Sequence, residues 1–280
     1  ANTVLAAQGT LLKTGSLFSG WNTAADGTGT RYAAGLATYA STGSRTLYAQ
    51  WTVPTGTPTL DTASDLGTSN TDKITSDNTP TINIGTLVSG AVITLTATPA
   101  SGTAVTCSFT ASSTTGSCTF PTLPDGTYSI TATQTYNGAT SVASTALAGI
   151  EIDATRPTVT LSATVGAGTN VVSGANDTIA RNTAINTYTI KATFSESVSG
   201  LLMSEITKDA ASTGWTVGST LTGTGAAYTF TATNSGVVVN TAGKLLLRIA
   251  EGVAGDAAGN TNTATTSDFV INSVARVDFW

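Results

Sequence analysis

Apolar residues alternate with Thr, Ser or single charges in short runs along most of the chain. AVITLTATPA, TYSITATQT, TYTIKATFSE, AAYTFTATN and KLLLRIA each place apolar side chains at nearly every second position, the period of a β-strand with one buried face. Turn residues separate these runs by roughly ten residues, which is typical of β-sandwiches. The best helix candidate, LLMSEITKDAA, is explained as well by a short turn or an irregular strand. The pattern predicts an all-β chain.

Clusters of Pro, Gly and acidic residues divide these runs into three segments. The first segment closes with the strand-like run RTLYAQWT, after which Pro54 and Pro58 predict a linker. The second segment ends near IEIDATRP, and the third continues from there. The boundaries predict three β modules in series, which comprise residues 1–55, 56–154 and 155–280.

A turn in the second segment predicts a specific tyrosine contact. In LPDGTYSITAT, Asp125 and Gly126 form the turn, and Tyr128 enters the next strand with Ile130 and Ala132 on its inward face. A tyrosine at such a position often ties its hydroxyl to the preceding connection, as in the tyrosine corners of β-sandwiches. We interpret Tyr128 as part of the scaffold, and a tyrosine that contacts a ligand is the alternative.

The composition excludes several classes of function. Charged residues make up 10% of the 280 residues, the net charge is −5, and the basic residues are scattered, so we expect no nucleic-acid partner. No apolar run approaches the roughly twenty residues of a membrane-spanning helix. The absence of histidine removes Ser-His-Asp and Cys-His catalysis and the usual zinc sites. We predict that the protein is not an enzyme, and a glycosidase with two carboxylates across a cleft is the alternative.

Cys107 and Cys118 are the two cysteines of the chain. They lie in VTCSFTASSTTGSCTF, where strand-like alternation on both sides of a Thr-Gly turn predicts a hairpin. Facing each other across that hairpin, the two side chains would be close enough to form a disulfide. A disulfide would place the protein in an oxidising, extracellular compartment. Two small buried thiols are the alternative.

Acidic residues gather where the segments join. Calcium takes typically about six to eight oxygen ligands, and extracellular calcium is abundant enough to fill weak sites. The alternative is that these side chains cap loops as Asx-turns, and the spacing is not that of an EF-hand. Calcium is the one candidate cofactor, and its candidate ligands are Asp61, Asp65 and Asp72 before the second segment and Asp153, Glu196, Asp256 and Asn260 at the second joint.

The first segment resembles the Listeria-Bacteroides repeat, a β-grasp-like module of bacterial surface proteins. The shared pattern is F-x-GWN, then DG-x-GT-x-Y, then LYA-x-W. The resemblance implies that the first strand of the module lies upstream of Ala1. Asp-Gly and Gly-x-Gly would supply positive-φ turn positions, and the large aromatics would pack a sparse core. The matching positions are Phe18, Gly20, Trp21, Asn22, Asp26, Gly27, Gly29, Thr30, Tyr32, Leu47, Tyr48, Ala49 and Trp51.

The second and third segments resemble bacterial immunoglobulin-like domains of large adhesins and surface-layer proteins. SNTDKITSDNTPTINIG and LPDGTYSITAT carry the likeness in the second segment, and ATFSESVSG with GVAGDAAGNTNT carries it in the third. Together the resemblances imply an all-β fold in which a small β-grasp-like module precedes two immunoglobulin-like β-sandwiches in series. They also imply a secreted, modular protein without catalytic residues.

We therefore interpret the chain as a structural segment of a bacterial cell-surface or extracellular filament protein, acting as a stalk or a self-assembling module. Neighbouring modules or copies of the same protein are the expected partners. A module that binds glycans or a host surface through an exposed aromatic, Trp21 or Trp215, is the alternative. Lys191 is a conceivable donor for an isopeptide crosslink, and an ordinary exposed lysine is the competing interpretation.

The tail VARVDFW is the candidate for self-assembly. With Val277 and Phe279 facing inward, it would form an unpaired strand that completes the first module of another copy. The alternative is that both ends continue into further domains of a longer polypeptide.

Overall fold

The computed structural model describes residues 2–3, 5, 10–11, 13, 16–33, 35, 39–40, 44–136, 139–165, 169–172, 177–180, 187–234 and 243–272. Regular structure in these residues is almost entirely β, so the all-β prediction is confirmed. The chain divides into two compact units, Ala1–Asp153 and Ala154–Trp280.

The first unit begins with short strands and continues into longer ones. Its strands are β1 (Asn2–Thr3), β2 (Leu17–Asn22), β3 (Arg31–Tyr32), β4 (Tyr39–Ala40), β5 (Tyr48–Thr52), β6 (Thr59–Leu60), β7 (Ile74–Thr75), β8 (Thr81–Gly85), β9 (Val92–Pro99), β10 (Val105–Thr110), β11 (Thr115–Thr119), β12 (Gly126–Tyr136), β13 (Ala139–Thr140) and β14 (Leu147–Ile152).

A small antiparallel sheet of order β3-β2-β5 is formed by the first segment, where β1 also pairs with β4. Strand β2 carries a bulge between Phe18 and Gly20. Phe18 is buried, and its ring packs edge-on against Trp21 and Trp51, with centroid distances of 5.3 and 5.6 Å. The aromatic residues thus supply the packing of this small sheet, because aliphatic residues are few there.

A β-sandwich follows in the same unit. One sheet has the order β10-β9-β12-β14-β7 with β13 beside β12, and the other has the order β11-β8-β6. Only β14 and β7 pair in parallel among the described strands of this sandwich. Alternation positions the core. On β12, Tyr128, Ile130 and Ala132 are buried as predicted, while Ser129 and Thr131 between them are only half-buried on the opposite face. The largest fully buried side chains are Ile82, Ile93, Leu95, Phe120, Leu123, Ile130, Ile150 and Ile152.

The segment interpreted as a linker lies against this sandwich. Gln134 on β12 is fully buried, and its Oε1 accepts a hydrogen bond from the Val88 N–H at 2.9 Å. Its Nε2 donates to the carbonyls of Val53 at 2.7 Å and Thr86 at 3.2 Å. One buried amide therefore joins the end of the first segment to the connection between β8 and β9 in the sandwich.

Two further contacts join the first segment to the sandwich. Thr55 is buried, and its hydroxyl donates to the carbonyl of Ala132 at 3.3 Å. The guanidinium carbon of Arg31 lies 4.2 Å from the centroid of the Tyr136 ring, a cation–π contact. The first segment therefore contacts β12 of the sandwich at two further points besides Gln134.

A second β-sandwich makes up the second unit. Its strands are β15 (Val159–Val165), β16 (Thr169–Val172), β17 (Asp177–Ala180), β18 (Thr187–Val198), β19 (Ile206–Lys208), β20 (Trp215–Val217), β21 (Thr222–Asn234), β22 (Gly243–Ile249) and β23 (Thr265–Asn272). The sheets have the orders β16-β15-β18-β21-β20 and β17-β23-β22-β19. The helix candidate LLMSEITKDAA forms a 3-10 turn, Met203–Glu205, followed by β19, so the alternative interpretation is correct there.

Candidate functional site

The Gly-rich loop after β2 is held by a buried asparagine. Asn22 is fully buried, and its Nδ2 donates to the carbonyls of Gly27 at 2.9 Å and Gly29 at 3.2 Å. Its Oδ1 accepts from the Ala24 N–H at 2.8 Å. All of these contacts are internal to the loop. The geometry therefore favours the architectural interpretation of this loop over a ligand-binding one.

The glycines of this loop serve two different purposes. Gly27 has a φ of +82°, as the Asp-Gly turn predicts. Gly29 does not have a positive φ, and that part of the prediction is wrong. A Cβ atom at Gly29 would lie 2.7 Å from Asn22 Oδ1 and 2.9 Å from the Ala24 nitrogen, so this position needs glycine for space.

Cys107 and Cys118 form the predicted disulfide, with 6.2 Å between their Cα atoms. The predicted hairpin is wrong, because β10 pairs with β9 in one sheet and β11 pairs with β8 in the other. Both cysteines lie on edge strands, so the disulfide joins the two sheets at an open edge of the sandwich. Alternation identified the strands but carried no information about which sheet each one joins.

The tyrosine-corner prediction is confirmed. Tyr128 is buried, and its hydroxyl donates to the carbonyl of Pro124 at 2.8 Å. Burial, together with the charge of Asp125, raises the pKa of the Tyr128 hydroxyl. Tyr228 in the second unit makes a similar bond to the carbonyl of Val198 at 2.9 Å, a contact that the sequence analysis missed.

Three acidic residues before β8 cap turns. Asp61, Asp72 and Asp77 each accept a hydrogen bond through Oδ1 from the backbone N–H two residues further along, at 2.9, 3.1 and 2.9 Å. Asp61 Oδ2 also accepts from the Asn83 amide at 2.9 Å. The backbone bond, followed by the Asn83 bond, lowers the pKa of Asp61. These contacts are the Asx-turn alternative, while calcium binding at Asp61 and Asp72 stays a prediction.

Asp65 differs from these exposed neighbours. Its side chain is buried, with the residue 5% exposed, and burial raises the pKa of its carboxyl group. Oδ2 accepts from the Lys73 N–H at 3.2 Å, and this bond opposes the rise. Lys73 has a φ of +68°, a conformation that non-glycine residues seldom adopt.

The DAAGN turn of the second unit is built on a carboxylate. Asp256 is buried, with Oδ1 accepting from the Asn260 N–H at 2.9 Å and Oδ2 from the Asn260 amide at 3.0 Å. A carboxylate oxygen of Glu196 lies within 4.8 Å of a carboxylate oxygen of Asp256. A carboxylate oxygen of Glu196 and the Asn260 amide therefore both lie near Asp256, while calcium binding by these residues stays a prediction.

The same loop depends on an asparagine that the sequence analysis did not single out. Asn262 is fully buried, and its Oδ1 accepts from the N–H groups of Val253 and Ala254 at 3.0 and 2.8 Å. Its Nδ2 donates to the carbonyls of Ala250 and Thr263 at 2.9 and 2.8 Å. All four bonding positions of the amide are used to hold this turn.

Asp153 is the last residue of the first unit. Its N–H donates to the carbonyl of Thr75 at 2.9 Å, which continues the pairing of β14 with β7. Its participation in a calcium site stays a prediction.

The remaining candidate residues from the sequence differ in how far their side chains are buried. Trp215 is buried in the core beside Tyr188, so it cannot serve as an exposed sugar platform. Trp21 is half-buried against Phe18. Lys191 is an exposed residue in the middle of β18, which fits an ordinary surface lysine. Val277 and Phe279 lie outside the described residues.

An open groove of about 450 Å³ lies at one end of the first sandwich. Its walls include Pro99, Val105, Pro124 and Tyr128, and Asp125 is its charged residue.

The described part of the chain contains no helix that is long and apolar enough to cross a membrane.

Comparisons with known proteins bear on the second segment. Residues 52–154 match the family model of the bacterial Ig-like domain, so the resemblance stated for that segment is confirmed. No curated protein matches the chain. Among solved structures, the S-layer protein SbsC, domains 5-6, matches with 13% sequence identity and a TM-score of 0.20, over 77% of this chain and 100% of that one. The resemblance of the first segment to the Listeria-Bacteroides repeat stays a prediction.

Proposed function

We propose that the chain is a non-catalytic structural segment of a bacterial cell-surface or extracellular filament protein. The observation that carries the proposal is the use of buried polar groups. Three side chains are fully buried, and the amide of each forms hydrogen bonds with backbone groups of turns and connections: Asn22, Gln134 and Asn262. Residues used in this way fix a shape and offer nothing to a substrate.

The strand ladders suit a load-bearing segment. Strand β12 has 11 residues and pairs on both sides, and β18 and β21, with 12 and 13 residues, pair with each other in the second unit. The disulfide adds a covalent connection between the two sheets of the first sandwich. The bacterial Ig-like match over residues 52–154 supports a modular surface protein.

Intact cells of the organism that makes the protein are used to test whether the protein lies on the cell surface. Protease added outside the cells is expected to remove epitopes of both units. Fragments cut between Cys107 and Cys118 should stay joined until the disulfide is reduced. Protection of these epitopes until the cells are lysed would contradict the proposal.

Sedimentation measurements distinguish the two proposed functions, a stalk and a self-assembling module. If the tail donates a strand, the complete chain should assemble at high concentration, and deletion of residues 274–280 should abolish this assembly. If sedimentation of the deleted and complete chains is the same at every concentration, strand donation is wrong and the stalk function remains.

Calcium at the second joint belongs to the same proposal. Glu196 and Asp256 supply nearby carboxylates in the second unit, and Asp153 is the further ligand proposed from the sequence. Calcium is expected to raise the thermal midpoint of the second unit relative to chelator, and Glu196→Gln should remove the rise. Asp153→Asn tests the third ligand, and an unchanged calcium response in that variant would exclude it.

Glycan binding is the second candidate, favoured by the groove beside Pro99 and Pro124. Its size falls within the range of small-ligand pockets, about 300–1,000 Å³. A glycan array with the intact chain tests it, with Asp125→Asn as the groove variant and Trp21→Ala as the variant of the first sheet. Binding that survives both substitutions would exclude both surfaces.

A further inference from the structure

Strand β10 is the longest edge strand that the structure describes. It has six residues, Val105–Thr110, and pairs only with β9, whereas the other described edge strands have two to five residues. In an antiparallel ladder every second residue bonds to a given neighbour, so the alternate residues of β10 direct their N–H and C=O groups away from β9. No hydrogen bond among the described residues uses these outer groups. They are therefore available to another strand.

This edge lacks the features that usually prevent pairing with another chain. Natural edge strands are protected by charged side chains, by proline or by a bulge. The sequence of β10 is VTCSFT, and its register with β9 is unbroken. Thr106, Ser108 and Thr110 are exposed, while Val105 and Phe109 are half-buried on the other face. A strand added at this edge would cover the two apolar side chains further.

The disulfide holds β10 in its extended conformation. Cys107 lies in the middle of β10, and its bond to Cys118 fixes the strand to the other sheet. The neighbouring edge strand, β11, is shorter and contains Gly116, which has no side chain to pack against an added strand. Because β10 is already ordered, an incoming strand meets a preformed edge.

The charge distribution favours a second copy of the chain as the partner. The chain has a net charge of −5, so repulsion opposes contact wherever the charged surfaces of two copies meet. Residues 78–124, which include β10 and the strands before and after it, contain no charged residue. An antiparallel edge is also self-complementary, because a two-fold axis places the N–H and C=O groups of one copy against the same groups of the other.

We infer that β10 pairs with β10 of a second copy about a two-fold axis, which joins one sheet of each copy into a continuous sheet. With the axis at Cys107, Val105 of one copy faces Phe109 of the other on the same side of the sheet. The contact deepens the self-assembling form of the proposed function and rests on it for its biological role. It is small, so association is expected at high concentration or between copies anchored side by side.

Sedimentation velocity of the full chain over a range of concentrations tests the inference. The wild type should change from monomer to dimer as its concentration rises. Ser108→Lys should raise the Kd of the dimer at least about tenfold, because like charges then meet across the axis. Thr106→Lys provides a second variant. Both substitutions reduce the net negative charge, so a general charge effect would strengthen association instead.

Thr216→Lys is the matched control. It adds the same charge to an exposed threonine on β20, a three-residue edge strand of the second unit, and should leave the Kd of the dimer unchanged. An unchanged thermal midpoint of the first unit shows that the β10 variants are folded.

Three results would overturn the inference. The wild type could stay monomeric at every concentration, or both β10 variants could associate as the wild type does. Association could also be lost on deletion of residues 274–280 and kept in the β10 variants, which would assign it to the tail. None of these results changes the protease test on intact cells, so failure of this contact is distinguishable from failure of the proposed function.

Discussion

Reduction of the disulfide between Cys107 and Cys118 is expected to destabilise the first unit and leave the second unit unchanged. The two cysteines lie on edge strands of different sheets, β10 and β11, so the bond restricts how far the sheets can separate at that edge. Both side chains stay in place after reduction. Comparison of the oxidised and reduced wild type therefore isolates the crosslink from the packing of the sulfur atoms.

The magnitude follows from the length of the closed loop. The cysteines are separated by 11 positions. The chain-entropy relation gives about 3 kcal/mol at 25 °C for a loop of this size, because the crosslink removes conformations of the unfolded chain. For a unit of about 150 residues, 1 kcal/mol shifts the thermal midpoint by about 2–4 °C, so reduction should lower it by about 6–12 °C.

Differential scanning calorimetry of the full chain, with and without reductant, measures this shift. The second unit contains no cysteine and provides an internal control in every scan. Cys107→Ala combined with Cys118→Ala should lower the midpoint further than reduction does, because Cys118 is 8% exposed and its sulfur packs in the core.

Two results would refute this reasoning. A midpoint change below about 2 °C on complete reduction would mean that the crosslink does not constrain the unfolded chain as the loop length implies. An equal shift in the transition of the second unit would mean that reductant acts on something other than this bond.

Three further perturbations have definite expected outcomes. Asn262→Ala leaves two N–H groups and two carbonyls without their hydrogen-bond partner. Chemical denaturation should therefore show that the free energy of unfolding of the second unit falls by about 2–4 kcal/mol. A loss below about 0.5 kcal/mol would contradict this. Gln134→Ala should increase hydrogen exchange at Val88 and around Val53, while exchange in the second unit stays the same. In calcium-free buffer, the raised pKa of Asp65 means that the folded first unit binds the proton more tightly than the unfolded chain. Its stability should therefore fall as pH rises from the ordinary value of 3.8 through the folded-state pKa, and Asp65→Asn, which cannot titrate, should flatten this part of a urea-denaturation profile.

The sequence was sufficient for the strands and for local turns. Alternation placed Tyr128, Ile130 and Ala132 on one buried face, because side chains on a strand point to opposite sides with a period of two. The tyrosine corner and the Asp-Gly turn at Gly27 also follow from local rules, since their partners lie within a few residues.

Contacts between distant parts of the chain could not be predicted in this way. The partners of Gln134 lie 46, 48 and 81 positions away, and nothing in the local pattern distinguishes this glutamine from an exposed one. The disulfide was predicted from proximity in sequence, yet its strands belong to different sheets. Proximity along the chain therefore gave the correct pair with the wrong geometry.

The sequence by itself determined an all-β protein with few charges, no histidine chemistry and one cysteine pair. The tertiary structure decided which carboxylates are buried. Asp61, Asp65 and Asp72 are alike in the sequence, but the packing of the loop buried Asp65 and left the other two capping turns. Desolvation depends on the atoms that surround a group in space, and the order of residues along one strand does not specify them.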